Sequence, residues 1–215
     1  MSLVLHYHPL ASFCHKVLIA LYENEVPFVP LLVDLGDPAQ REEFIRLWPI
    51  GKFPVLCDEE RGKTVPESSI IIEYLQQQYP GRVKLIPETI DEGRETRLLD
   101  RFFDLYVHEP MQKIVTDRLR PAGSNDPQEV EQARKMMRTA FDMLEKDMAH
   151  RTWAAGESFG LADCAAAPAL FYANKVMPVE DHHPHLARYL DRLTQRPSYA
   201  RVLAEAQPYF ALFPG

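Results

Sequence analysis

Four short segments of this chain pair chemically useful side chains with the backbone positions that would make them work. In Pro9-Leu-Ala-Ser-Phe-Cys-His-Lys16, Ser12 and Cys14 fall where a strand turns into a helix. A helix N-terminus presents unpaired N–H groups and a partial positive charge, so it favours a thiolate, whether the protein's own or a bound one. In Trp48-Pro-Ile-Gly-Lys-Phe-Pro-Val-Leu56, Pro54 opens a strand. A cis bond at Pro54 would cost only about 0.5–1 kcal/mol and would turn the N–H and C=O of Phe53 outward to pair with an extended peptide. In Pro66-Glu-Ser-Ser69, Glu67 and Ser68 head another helix. Backbone and hydroxyl donors there suit a carboxylate, while Glu67 suits an ammonium. The fourth segment, Ala154 to Asp163, opens a nearly apolar helix at which Asp163 can reach back to the turn and Phe159 can staple the entry.

The elements that must hold these segments follow from periodicity and from Pro and Gly. Leu3 to Tyr7 reads as a strand stopped by Pro9, and Lys16 to Asn24 has helical spacing. Phe28 to Val33 is a strand that Pro30 confines to an edge. Asp37-Pro38 caps and opens a second helix that ends at Trp48-Pro49. Phe53 to Cys57 and Thr64-Val65 form a hairpin around Gly62, and Ser68 to Gln78 returns to helix before Pro80-Gly81. The order β-α-β-α-β-β-α describes a small α+β unit whose first two strands pair in parallel through a crossover.

After Arg82 the chain turns all-helical. Pro87 to Arg120 is expected to bury Leu98, Phe102, Leu105 and Tyr106, with Tyr106, Met111 and Phe102 as candidates for lining a pocket. Pro127 to His150 buries Ala133, Met137, Phe141 and Leu144. Leu161 to Lys175 is apolar on all sides and belongs in the interior, and shorter helices run from Pro184 to Arg196 and from Ser198 to Ala206. Asp181-His-His-Pro-His185 reads as a loop that caps the next helix, and no metal site is expected. Tyr7 reads as a core or interface aromatic, and His15 as part of an exposed or dimer-facing turn.

Composition limits the function classes. The 215 residues are 46% hydrophobic and 26% charged, an ordinary globular mix. The net charge of −7 makes a nucleic-acid footprint improbable on composition alone. No apolar run approaches the roughly 20 residues of a membrane span, no export signal is visible, and Cys14, Cys57 and Cys164 are odd in number and scattered. The expectation is a cytoplasmic protein with reduced thiols.

Across essentially the whole chain the sequence resembles the cytosolic glutathione transferase family, most specifically in Gly51-Lys-Phe-Pro-Val-Leu56 followed by Glu67-Ser-Ser-Ile-Ile-Ile-Glu-Tyr-Leu75. The resemblance implies a thioredoxin-like, glutathione-binding domain over residues 1–82 and an all-helical, electrophile-binding domain over 83–215. It implies a homodimer that uses glutathione as co-substrate and attacks a small apolar electrophile. Carried over by position, Phe53 would hold the cysteinyl main chain, Pro54 would be cis, Glu67 and Ser68 would hold the γ-glutamyl group, and Lys52 would approach the glycine carboxylate. The catalytic candidates are Ser12 and Cys14, with Ser12 expected nearer the sulfur. Two departures stand out: the relatives' activating serine falls on Ala11, and their usual Ser or Thr cap before Asp163 is Gly160. The rival readings are a thiol–disulfide oxidoreductase acting through Cys14 and a non-catalytic ligand-binding protein.

Overall fold

The structure, a computed structural model, describes residues 3–179 and 182–214. Its first unit runs β1 (Leu3–Tyr7), α1 (Ser12–Glu23), β2 (Val29–Leu32), α2 (Pro38–Leu47), β3 (Val55–Asp58), β4 (Lys63–Pro66) and α3 (Ser68–Gln78). The sheet order is β2-β1-β3-β4; β1 and β2 are parallel and the other two pairs antiparallel. Pro30 sits opposite Leu5 on the edge strand, where its missing N–H need serve one neighbour only. Asp37 caps α2 by accepting from the Ala39 and Gln40 amides at 2.8 and 3.1 Å. The buried Asp58 fastens α3 to β3 by accepting from Tyr74 and Tyr79 hydroxyls at 2.7 and 2.6 Å.

The second unit contains α4 (Ile90–Phe102), a π-helical turn (Phe103–His108), α5 (Glu109–Arg118), α6 (Pro127–Met148), α7 (Leu161–Val176), α8 (Pro184–Gln195) and α9 (Pro197–Ala206). A 3₁₀ segment, Gln207–Leu212, follows. The π turn stands just before Pro110, which has no N–H to give and whose ring crowds the carbonyl four residues back. None of the helices among the described residues is long and apolar enough to cross a membrane.

The α4–α5 stretch corrects the expected core face. Leu98 and Tyr106 are 64% and 43% exposed, Leu105 is also exposed, and Phe102 is only half-buried. The covered face carries Thr96, Asp100, Phe103, Asp104, Val107 and Met111. Polar residues can take the inward side because α1 meets them with Lys16, which is 1% exposed. Lys16 Nζ lies 2.5 Å from Asp100 Oδ1 and 3.0 Å from Asp104 Oδ2, and donates to Ser69 Oγ at 2.9 Å. Ser69 in turn donates to Asp100 at 2.7 Å. A second charged fastener joins α1 to α9: Glu23 takes both arms of Arg196 at 2.6 and 2.7 Å and the Ser198 hydroxyl.

Asp163 accepts from the Gly160 and Ala154 amides at 2.9 and 2.8 Å and from the Tyr189 hydroxyl at 2.5 Å. The glycine in place of a hydroxyl cap has a steric reason. A Cβ on Gly160 would come within 2.8 Å of the Leu85 carbonyl oxygen, which also accepts from the Leu161 amide at 2.7 Å. His15 is not on an exposed turn; it is fully buried and its Nε2 meets the Pro9 carbonyl at 2.5 Å. Before α8, His183 bonds Asp142 at 2.9 Å, and the cap is lent by Glu145, which accepts from the His185 and Leu186 amides. Asp181 lies outside the described residues.

Candidate functional site

A cavity of about 530 Å³ opens between the two units. Its first wall is built by three loops of the α+β unit. Gly51, at φ +68°, turns the chain after α2 so that Lys52, Phe53 and Pro54 face the cavity, and the Phe53–Pro54 bond is cis. Next to them stand Glu67, Ser68 and Ser69 at the head of α3. Glu67 has φ +70°, a backbone region that costs a residue with a side chain about 1–3 kcal/mol and persists only where the surrounding structure holds it. Its carboxylate is exposed and has no hydrogen-bond or ion-pair partner among the described residues, while Ser68 behind it is buried. Unpaired amide groups of the first α3 turn, a hydroxyl and a free carboxylate thus share one corner.

The opposite wall is a stripe along the α4–α5 stretch at helical spacing: Arg101, Asp104, Leu105, His108, Gln112 and Thr116, with Glu109 and Lys113 beside it. Arg120 and Glu129 close the far end through a 2.9 Å ion pair. Tyr106, Met111 and Phe102 do not line it: Met111 is core, and Phe102 stacks edge to face on Tyr106 at 5.3 Å on the outer side. This wall is more polar than an apolar electrophile would require.

The α1 turn contributes differently from the other loops. Ala11 is the N-cap and Ser12 the first helical residue, so the helix starts four residues before the Lys16 expected from periodicity. Ser12 is largely buried and Cys14 wholly so. Burial pushes the Cys14 thiol well above its ordinary range, the reverse of what a thiolate nucleophile needs. The side chain that reaches the cavity from this turn is Phe13, which packs edge to face on His108 at 4.5 Å. The structure therefore brings Lys52, Phe53, Pro54, Glu67 and Ser68 to one cavity; of the α1 turn Phe13 lines it, and Ser12 and Cys14 do not.

Phe13 and His108 were missed by sequence reasoning. The signal for His108 was present in the polar stripe 101-104-108-112-116, which is neither a core face nor a uniformly solvated one.

Comparisons with known proteins match the same two units. The model of the glutathione S-transferase N-terminal domain matches residues 5–83, and that of the glutathione S-transferase C-terminal domain matches residues 99–197. The chain is 30% identical to FtsZ-localized protein A of Caulobacter vibrioides, over 96% of this chain and 93% of that protein. It is 27% identical to glutathione S-transferase GstB of Escherichia coli K12, over 87% of this chain and 91% of that one. Among solved structures it is similar to a glutathione S-transferase of Methylobacillus flagellatus with glutathione bound, at a TM-score of 0.85 and 26% identity, covering 93% of this chain and 98% of that one.

Proposed function

Since this chain belongs to the glutathione S-transferase family, we propose that it binds glutathione along the Phe53–Pro54 and Glu67–Ser68 wall and transfers its thiolate to a small electrophile held against the α4–α5 stripe. One observation carries the reading: the Phe53–Pro54 segment, the Lys52 ammonium and the Glu67 carboxylate, neither charge paired among the described residues, line one cavity beside the N-terminus of α3. The tripeptide offers the complementary set, namely a peptide main chain, a carboxylate at each end and one ammonium. Pairing that ammonium with Glu67, and its neighbouring carboxylate with Ser68 and the α3 amides, leaves the thiol to reach the α1 turn.

A free thiol titrates near 8.5, so bringing it two units lower takes about 2.7 kcal/mol of preference for the thiolate. A helix N-terminus and a hydroxyl donor are of that size. Neither candidate lines the cavity; Ser12 is the better placed of the two because it heads α1 and keeps some exposure, whereas Cys14 is sealed and neutral. Ser12→Ala should raise the apparent pKa of bound glutathione, read from thiolate absorbance.

An exposed apolar stripe on the α4–α5 stretch supports a homodimer. Leu98, Phe102 and Tyr106 lie along its outer side, and Ile70, 54% exposed, stands one turn before Glu73, which bonds Arg97 across the α3–α4 seam.

Calorimetry tests the reading. Glu67→Ala should weaken glutathione by about tenfold or more, the loss of roughly 1.4 kcal/mol that a single charged contact carries. Unchanged affinity would remove it.

A further inference from the structure

His108 ends the π turn and faces the cavity with a ring that hydrogen-bonds to no protein group among the described residues. The residue is 8% exposed and its Nδ1 is buried and unpartnered. Burial, aided by the positive charge of Lys16, pushes its pKa down to about 4, so the ring is a neutral imidazole at neutral pH. Such a ring carries one N–H and one lone pair. An orphaned N–H is the costlier of the two to bury, which favours the proton on Nε2, the nitrogen that opens on the cavity. Phe13, in the first turn of α1, touches the same ring edge to face at 4.5 Å. The imidazole therefore stands one aromatic ring away from the helix end that favours a thiolate.

We propose that His108 is a specificity-determining residue that donates from Nε2 to an oxygen of the second substrate, so that the site selects electrophiles whose carbonyl is conjugated to the carbon under attack. The inference rests on the glutathione reading. When the thiolate sulfur bonds to the β-carbon of such an enone, the C=C pair moves and negative charge collects on the carbonyl oxygen. A donor already aimed at that oxygen strengthens as the charge grows. The enolate then takes a proton at its α-carbon from water, which balances the one the thiol gave up, and nothing leaves. A benzylic halide instead places its developing charge on the departing halide and draws no such benefit from Nε2. A neutral imidazole also does not ion-pair with the thiolate, as an imidazolium would.

The test compares 2-cyclohexenone with benzyl chloride as partners for glutathione in the wild type, His108→Phe and His108→Gln. The ratio of the two kcat/KM values should fall by about tenfold or more in His108→Phe, and His108→Gln, whose amide donates from nearly the Nε2 position, should recover much of it. An unchanged ratio, equal losses on both electrophiles, a glutamine variant no better than the phenylalanine one, or no turnover of cyclohexenone by the wild type overturns the proposal. Should His108→Phe not fold, nuclear magnetic resonance on the unaltered protein decides. The His108 Nε2–H signal should move downfield when the glutathione–cyclohexanone adduct binds, and a signal that stays put overturns it. Calorimetry with glutathione alone separates the two levels: binding without the electrophile preference removes only the role of His108, whereas no binding removes the glutathione reading as well.

Discussion

Lys16 and Asp100 form an ion pair of 2.5 Å with both side chains almost fully withdrawn from solvent. One partner comes from α1 of the α+β unit and the other from α4 of the helical unit, so a buried charge pair is embedded in the apolar packing that joins them. Asp104 shares the same ammonium, and its own pKa is raised, by burial first and by the Asp100 charge in addition, against the pull of Lys16.

Removing the lysine should be far more harmful than its surface neighbours suggest. Lys16→Met leaves two buried carboxylates facing each other, and breaking a buried pair in this way costs about 3–5 kcal/mol. The denaturant midpoint should drop accordingly, and adding Asp100→Asn to the same chain should restore part of the loss. A midpoint within error of wild type would show that the pair contributes nothing.

Asp163 should make stability depend on pH in an unusual direction. Burial raises its pKa to about 6, although the Ala154 and Gly160 amides and the Tyr189 hydroxyl pull the other way. The folded chain thus keeps a proton between pH 4 and 6 that the unfolded chain has lost, so this contribution is present at low pH and disappears as pH rises through 6. Its size is about 3 kcal/mol for a carboxyl raised to about 6 from its ordinary value. Asp163→Asn removes the titration, and other acid effects cancel in the comparison. The stability difference between wild type and variant should therefore shrink from pH 4.5 to pH 7; a difference that stays constant would exclude the effect.

Leu98→Arg tests the proposed dimer. The side chain is 64% exposed in the single chain, so the change should leave the monomer fold in place while putting a charge in the middle of the apolar face. Light scattering should report twice the chain mass for the wild type and the chain mass for the variant. A wild type that stays at about 25 kDa on concentration would rule the dimer out.

The parts of this structure that the sequence spelled out are those set by local chemistry. Proline and aspartate fixed the ends of β1, α2 and α3, and the edge position of Pro30 followed from its missing donor. The corner at Phe53, Pro54, Glu67 and Ser68 was legible because each residue belongs to a turn or helix start whose backbone demands are readable one segment at a time. What stayed hidden depended on a partner far away in the chain. The inward face of α4 looks polar until Lys16, 84 to 88 positions earlier, is placed against it. Gly160 looks like a lost cap until Leu85 arrives at its Cα. Cys14 looks reactive at a helix start until the helices α7 and α9 close over α1.

The burial of α1 bears on how this chain could be cut. Ten of its twelve residues are covered, including Lys16 and Glu23, whose carboxylate and guanidinium partners all lie beyond position 95. A fragment ended at residue 82 would hold the sheet's hydrogen bonds and the whole corner from Lys52 to Ser68, yet it would carry into water an apolar helix with two charges stripped of their counter-ions. The seam after Arg82 is therefore a border between patterns of secondary structure and not between units of cooperative folding. Exchanging the helical half for that of another protein would require α1 to be rewritten with it.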